Sequence, residues 1–211
     1  MRALYIFLLI LFTNVLAHAQ DVKKKIKLFD GKTFKGWQGD IGKSWRIENG
    51  AIVGGKLNEM VPHNEFIATT TRYANYILKL KFKLTGTEGF VNGGVQFHSE
   101  RIANPDFEMR GYQADIGDGF WASLYDESRR DKLLVTADAE LVKKILKRGE
   151  WNDYEVRSSG KRIQIFLNGT QTVDYTEAED NIPQSGLIAF QLHGGGKTEV
   201  HYKDIMLYPI K

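Results

Sequence analysis

The chain has no cysteine and only four prolines, so neither a disulfide framework nor a proline-rich linker organises it. A lipid-modified cysteine is excluded for the same reason. Charge of one sign is scarce too: 29 Lys and Arg stand against 26 Asp and Glu. The tight basic clusters, Lys23 to Lys27 and Lys143 to Arg148, read as a solvated leader and a solvated turn. No strong field for nucleic acid results, and nucleic acid is not expected as a partner. Long hydrophobic runs are absent except at the start, where Arg2 precedes an apolar stretch from Ala3 to Phe12. That stretch is shorter than the roughly 20 residues of a membrane span. Thr13 and Asn14 interrupt it, and Ala17, His18 and Ala19 form an A-x-A cleavage signature. Residues 1–19 therefore read as a secretory signal peptide, residues 20–26 as a leader, and residues 27–211 as one domain of an exported protein, periplasmic or secreted, with no membrane role once the signal is removed. Cleavage removes Arg2 alone, so 28 basic residues remain against 26 acidic ones.

What the sequence does contain is strand pattern. Tyr76, Leu78, Leu80, Phe82 and Leu84 alternate with Ile77, Lys79, Lys81 and Lys83, which describes a strand with one buried and one wet face. Ile163, Ile165 and Leu167 alternate likewise, and Asn168-Gly169 supplies a type I′ turn before Thr170 to Tyr175 returns. Asn168-Gly169-Thr170 also has the form of a glycosylation sequon, which the turn explains without sugar. Further short strands are expected around Ser44, Ala51, Phe66, Gly94, Phe107, Trp121, Asp153 and His201. About a dozen such strands at close spacing predict an all-β fold, a two-sheet antiparallel sandwich or barrel. One helical stretch competes, within Asp138 to Arg148, where Leu141, Val142, Ile145 and Leu146 recur at i, i+4 spacing.

Two segments alternate differently. In Gly111 to Asp118 (GYQADIGD), period-two geometry puts Gln113 and Asp115 on one face, and in Gly186 to Gly196 (GLIAFQLHGGG) it puts Gln191 and His193 together. A third segment, Gly94 to Glu100, aligns Gln96, His98 and Glu100, and a fourth, Glu199 to Leu207, aligns His201 and Lys203. If these four strands are neighbours, amides, imidazoles, a carboxylate and an ammonium converge on one ligand-binding groove. Trp37, Trp121, Tyr112 and Tyr125 lie close to glycines or loops, where flat rings stack on sugars as readily as they fill a core. Trp121 is assigned to the groove, whereas Trp45 and Trp151 read as core anchors. Ordinary roles compete for each of these residues: His193 can cap the following glycines, Asp118 can organise a turn, and Lys203 can be an exposed strand lysine.

Familiar catalytic signatures are missing. There is no Gly-x-Ser-x-Gly elbow, no phosphate loop, and no His-x-x-x-His pair for zinc. No cofactor is evident, no metal ligands are assigned, and a divalent cation held by residues from distant strands is not excluded. A two-carboxylate glycanase of the Glu-x-Asp-x-x-Glu kind would need acids where this chain has Gln113, Asp115 and Asp118, so intact-glycoside hydrolysis lacks its parts on that strand.

Leu28 to Trp37 (LFDGKTFKGW), Trp45 to Gly50 (WRIENG), Asn92 to Phe97 (NGGVQF), Gly111 to Asp118, Ser123 to Tyr125 (SLY), Trp151 to Val156 (WNDYEV), Leu167 to Gly169 (LNG) and Gly186 to Gly194 occur in a fixed order. With them the chain resembles the 3-keto-disaccharide hydrolase domain family, over Lys27 to Tyr208. The resemblance implies a concanavalin A-like jelly roll acting on sugars oxidised to a ketone at carbon 3, with an oxidised glycoside or disaccharide as partner. Gln113 and Asp115 stand where the family often has Glu and Gln, and Lys203 where it often has Arg. A 3-ketone acidifies the proton on carbon 2, so a base can remove it and expel the anomeric substituent, after which water can add back. On this reading Asp115 or His193 is the base and Lys203 stabilises the enolate. Gln113 and Gln191 orient hydroxyls, with Gln96, His98, Trp121, Tyr125 and Arg110 as further substrate contacts. The alternative is a noncatalytic carbohydrate-binding module using the same groove.

Overall fold

The computed structural model describes residues 24–210, so the expected signal peptide lies outside the described residues. With strands numbered along the chain, one sheet runs β13 (Thr170–Thr176), β12 (Arg162–Leu167), β11 (Asn152–Ser159), β6 (Tyr76–Gly89), β15 (Gly196–Pro209), β4 (Ala51–Gly55) and β3 (Trp45–Glu48), with β1 (Ile26–Lys27) also on β15. The second sheet runs β10 (Lys132–Val135), β9 (Leu124–Glu127), β8 (Met109–Gly117), β7 (Asn92–Arg101), β14 (Leu187–Leu192), β5 (Glu65–Thr69) and β2 (Trp37–Gln38). All of these pairings are antiparallel, and the two-sheet sandwich predicted from strand spacing is what forms.

Alternation explains how the layers close. Leu78, Leu80 and Phe82 of β6 join Val95 and Phe97 of β7, Ala114 and Ile116 of β8, and Phe190 of β14 in one buried cluster. Each such fully buried side chain contributes roughly 1.5–3 kcal/mol of transfer free energy. The opposite face of the eight-stranded sheet is wet: Lys79 pairs with Glu155 at 3.0 Å and Lys81 with Asp153 at 2.5 Å. Trp151 lies on this wet side under Lys203, 4.0 Å from ring centre to Nζ, and is not the core anchor expected of it. Trp45 is a core residue, as expected, and so are Trp37 and Tyr112, which settles those two in favour of core filling over sugar stacking.

The outer face of the seven-stranded sheet is different. Phe66, Ala68, Met109 and Ala189 form a second apolar cluster there, and β8 is buried along nearly its whole length. The loops preceding β5 and β8 are joined by a hydrogen bond from Asn64 Nδ2 to Glu108 Oε2 (3.1 Å). The Asn168-Gly169 hairpin forms with φ of 48° and 82°, as a type I′ turn requires. Asn168 commits its amide to Ile145 O (2.7 Å) and Asn152 Oδ1 (2.8 Å), so the sequon asparagine is a structural tie. The one α-helix in the described residues, α1 (Ala139–Ile145), is capped by Asp138, whose side chain accepts from Glu140 N and Leu141 N.

Candidate functional site

The groove strands adjoin as β8–β7–β14, which brings three of the four predicted polar segments together. Gly94 pairs with Asp115 on one side and Gln191 on the other. A Cβ on Gly94 would stand 2.6 Å from Gln113 Cδ, so the absence of a side chain there makes room for the Gln113 amide. That amide is the hub of the site: its Nε2 lies 2.9 Å from Asp115 Oδ1, 3.0 Å from Gln191 Oε1 and 3.3 Å from Glu127 Oε2. Among the described residues, Gln113 Oε1, Gln191 Nε2 and Gln96 Oε1 are buried with no hydrogen-bond partner, a polar deficit of the kind that collects at functional positions.

Electrostatics push both carboxyl groups toward their neutral forms. Burial raises the Asp115 pKa well above the ordinary carboxylate range, and the Glu127 charge adds to this against the opposing hydrogen bond from Gln113. Glu127 is pushed up to about 7, first by desolvation and then by the charge of Glu108. A pocket of about 190 Å³ opens onto Gln113, Asp115, Tyr125, Glu127, Asn92 and His193, with Phe90 and Phe120 at its rim. Phe90 is 41% exposed and meets the His193 ring edge-on at 4.6 Å, which offers a flat apolar surface beside polar groups. His193 Nδ1 lies 2.7 Å from Gly194 O. A carbonyl only accepts, so Nδ1 carries the hydrogen and Nε2 of the neutral ring keeps its lone pair. The loop can take this shape because Gly196 has no side chain: a Cβ there would meet Phe90 O at 2.4 Å.

Asp115, Gln113, Tyr125 and His193 thus share one pocket, and Gln191 and Gln96 belong to the same sheet face, Gln96 donating to Met109 O at 3.4 Å. Four predicted residues are elsewhere. Lys203 is on β15 of the other sheet, paired with Lys81 and stacked on Trp151, because β15 runs between β6 and β4. His98 turns into the interior: the β7–β8 register shifts between Phe97 and Glu100, His98 takes φ 47°, and its Nε2 meets Ala74 O at 3.1 Å and Ser158 Oγ at 3.0 Å. Burial holds its pKa down to about 4, so it is a neutral core histidine near neutrality. Trp121 packs against Phe82, centroids 6.2 Å apart, donates to Asp118 Oδ1 at 2.7 Å, and lines a different cavity beside α1. Arg110 is exposed at the head of β8, ion-paired with Glu100 at 2.7 Å.

Sequence reasoning missed Glu127, Asn92, Phe90 and Phe120. Glu127 pairs through β9 with β8, and its signal was the alternation of Tyr125 and Glu127 against Leu124 and Asp126. Asp126 points inward and is held by Arg129 and Arg130, so spacing alone did not separate structural from pocket acid. Among the described residues, no group of three His, Cys, Asp or Glu stands together as a metal site. No described helix is long and apolar enough to cross a membrane.

Two antiparallel sheets packed face to face, with a polar pocket on one outer face, define a jelly-roll sandwich of the concanavalin A-like type. A family profile described as 3-keto-alpha-glucoside-1,2-lyase-like domain matches residues 24–208, and the chain belongs to that family. No curated protein sequence matches it. Among solved structures, a protein of Parabacteroides distasonis ATCC 8503, assigned provisionally as a glycosyl hydrolase, is similar with 22% identity and a TM-score of 0.65, covering 89% of this chain and 94% of that one. A carbohydrate binding module from Bacillus subtilis is similar with 12% identity and a TM-score of 0.62, covering 81% and 93%. A beta-glucanase of Bacillus licheniformis shares 10% identity with a TM-score of 0.56, covering 88% and 97%. At these identities the likeness is one of fold.

Proposed function

We propose that the protein is an exported enzyme that cleaves 3-keto-glycosides by elimination at carbons 1 and 2. The observation that carries this reading is the pairing, within one pocket, of two carboxyl groups displaced toward neutrality and a histidine with an open Nε2.

The chemistry needs three groups. His193 Nε2 takes the proton from carbon 2, and the electron pair moves into the carbon 2–carbon 3 bond to give an enolate. Asp115, kept protonated by burial, donates a hydrogen bond to the enolate oxygen, the role the sequence reading gave to Lys203. The enolate collapses, the carbonyl re-forms, the bond from carbon 1 to the leaving oxygen breaks, and Glu127 supplies the proton that oxygen takes up. A pKa of about 7 suits a proton donor working near neutrality. Water added across the resulting double bond returns a free 3-keto sugar. Gln113 holds both acids in place and is itself tied to Gln191, and Phe90 offers a face to the sugar ring.

Incubation with a plain α-glucoside and its 3-keto counterpart, followed by NMR, tests this. Loss of the ketone substrate alone, with deuterium entering carbon 2 in heavy water, supports elimination. Cleavage of both points to ordinary hydrolysis, and binding of the ketone without turnover identifies a noncatalytic binding module. A chelator arm shows whether a cation takes part.

A further inference from the structure

Beyond the pocket just described, the β5–β2 edge of the same sheet carries a larger cavity of about 530 Å³. Its volume lies within the range typical of small-molecule sites, roughly 300–1,000 Å³. Two of its charged groups keep spare hydrogen-bonding capacity. Arg101 Nη2 is anchored to the backbone by Phe66 O at 3.1 Å and Gln38 O at 3.3 Å, while its Nε and Nη1 make no hydrogen bond within the described chain. No carboxylate of the described residues is in ion-pair contact with it; burial lowers its pKa, the charges of Glu65 and Asp106 oppose this, and the guanidinium keeps its charge. Glu65 is buried to 7% exposure, and that burial raises its pKa against an opposing hydrogen bond from Ser44; its nearest basic nitrogen is His63 Nδ1 at 3.6 Å, already bonded to Asn64 O at 3.0 Å. At the wall, the His63 and Phe107 rings stack with centroids 4.0 Å apart, which makes a rigid, half-buried aromatic platform.

Donors fixed in a planar fork, a carboxyl group with lone pairs to spare, and an aromatic face are together what a pyranose needs: the guanidinium gives to adjacent hydroxyl oxygens, the carboxyl group receives from a hydroxyl, and ring C–H groups lie on the phenyl face. An anionic ligand is disfavoured, because Asp40, Glu65 and Asp106 outnumber Lys43 and Arg101 around the cavity. The Asn64–Glu108 hydrogen bond joins the residues that follow His63 and Phe107, and Asn64 Oδ1 accepts from Gly194 N at 3.1 Å, next to His193. This contact stands between the cavity and the elimination pocket. We propose that the cavity is a second carbohydrate site, for a neutral pyranose unit with vicinal hydroxyls, that holds glycan without cleaving it. The proposal rests on this sheet being a carbohydrate surface and is independent of whether the neighbouring pocket cleaves.

Titration of the mature chain with trehalose, maltose, cellobiose and sucrose, followed by calorimetry and ¹H–¹⁵N NMR, tests it. At least one of the four should shift the Arg101 Nε–H and Phe107 amide signals, with Kd weakened at least tenfold in Phe107→Ala and Glu65→Gln. Both variants should retain the Tm of the parent within a few degrees. Asp115→Asn should leave this affinity unchanged, so a failed cleavage assay with binding intact would sink the elimination reading alone. The second site is overturned if none of the four sugars moves those signals, or if binding survives both substitutions at full strength.

Discussion

Gln113 and Asp115, two residues apart on β8, share a hydrogen bond of 2.9 Å that runs along the strand instead of across the sheet. The Gln113 nitrogen has two hydrogens but faces three oxygens, from Asp115, Gln191 and Glu127. The arrangement is relieved when a carboxyl group carries its own proton, in keeping with the upward displacement of both acids. The pocket is thus built to retain protons at pH values where exposed carboxylates have lost theirs.

Removing either acid should separate the roles. Asp115→Asn and Glu127→Gln are each expected to lower kcat on a 3-keto-glycoside by about 10²-fold or more, the usual size of a lost acid–base contribution. If the proposed elimination holds, the rate of the parent protein should fall as pH rises through about 7, where Glu127 loses its proton, and Glu127→Gln should abolish that limb. A limb that persists in the variant would assign it to another group.

Glu127 also affects stability, with a sign fixed by its displacement. Its folded pKa lies above the unfolded value, so its contribution is fully present below about 4.5 and is lost as pH rises through about 7. Glu127→Gln should therefore be more stable than the parent at pH 8, by about 1–3 kcal/mol, with little difference at pH 4.5. Urea denaturation at the two pH values measures this directly.

His98 acts in the opposite direction. Its folded pKa of about 4 lies below the unfolded 6.5, so the fold is favoured above 6.5 and loses stability as pH drops from 6.5 towards 4. The loss should approach about 3 kcal/mol and be largely absent in His98→Gln compared with its own value at neutral pH. A parent and variant with parallel stability profiles over this range would show that His98 is not the source of acid lability.

Two substitutions bracket the geometry. Gly94→Ala brings a methyl group to 2.6 Å from Gln113 Cδ and should displace the amide, lowering kcat more than tenfold while Tm changes little. Lys203→Met lies on the opposite sheet and should leave kcat and KM as they were. A large loss in Lys203→Met would return that residue to the mechanism.

These residues also show how far the chain was legible. Alternation located the Gln113–Asp115 and Gln191–His193 faces, because period-two geometry holds wherever a strand is regular. It failed at His98, where a bulge reversed the facing of one side chain, and bulges leave no mark in hydrophobic pattern. It failed at Lys203 for another reason: pattern assigns a residue to a face of its own strand but not to a sheet, and β15 pairs with β6 and β4. Trp121 and Phe120, adjacent in sequence within the turn between β8 and β9, open onto different cavities, and turn residues carry no period-two facing that a sequence pattern could reveal. Glu127 was hidden because its acidity depends on burial and on the distant charge of Glu108.

The wet sheet face has a practical corollary. Lys79, Lys81, Lys83 and Lys203 all lie on the side facing away from the pocket, where Lys83 and Lys203 share Trp151. Attachment to a solid support through these four lysines would hold the molecule by its back and leave the pocket face turned to the surrounding liquid.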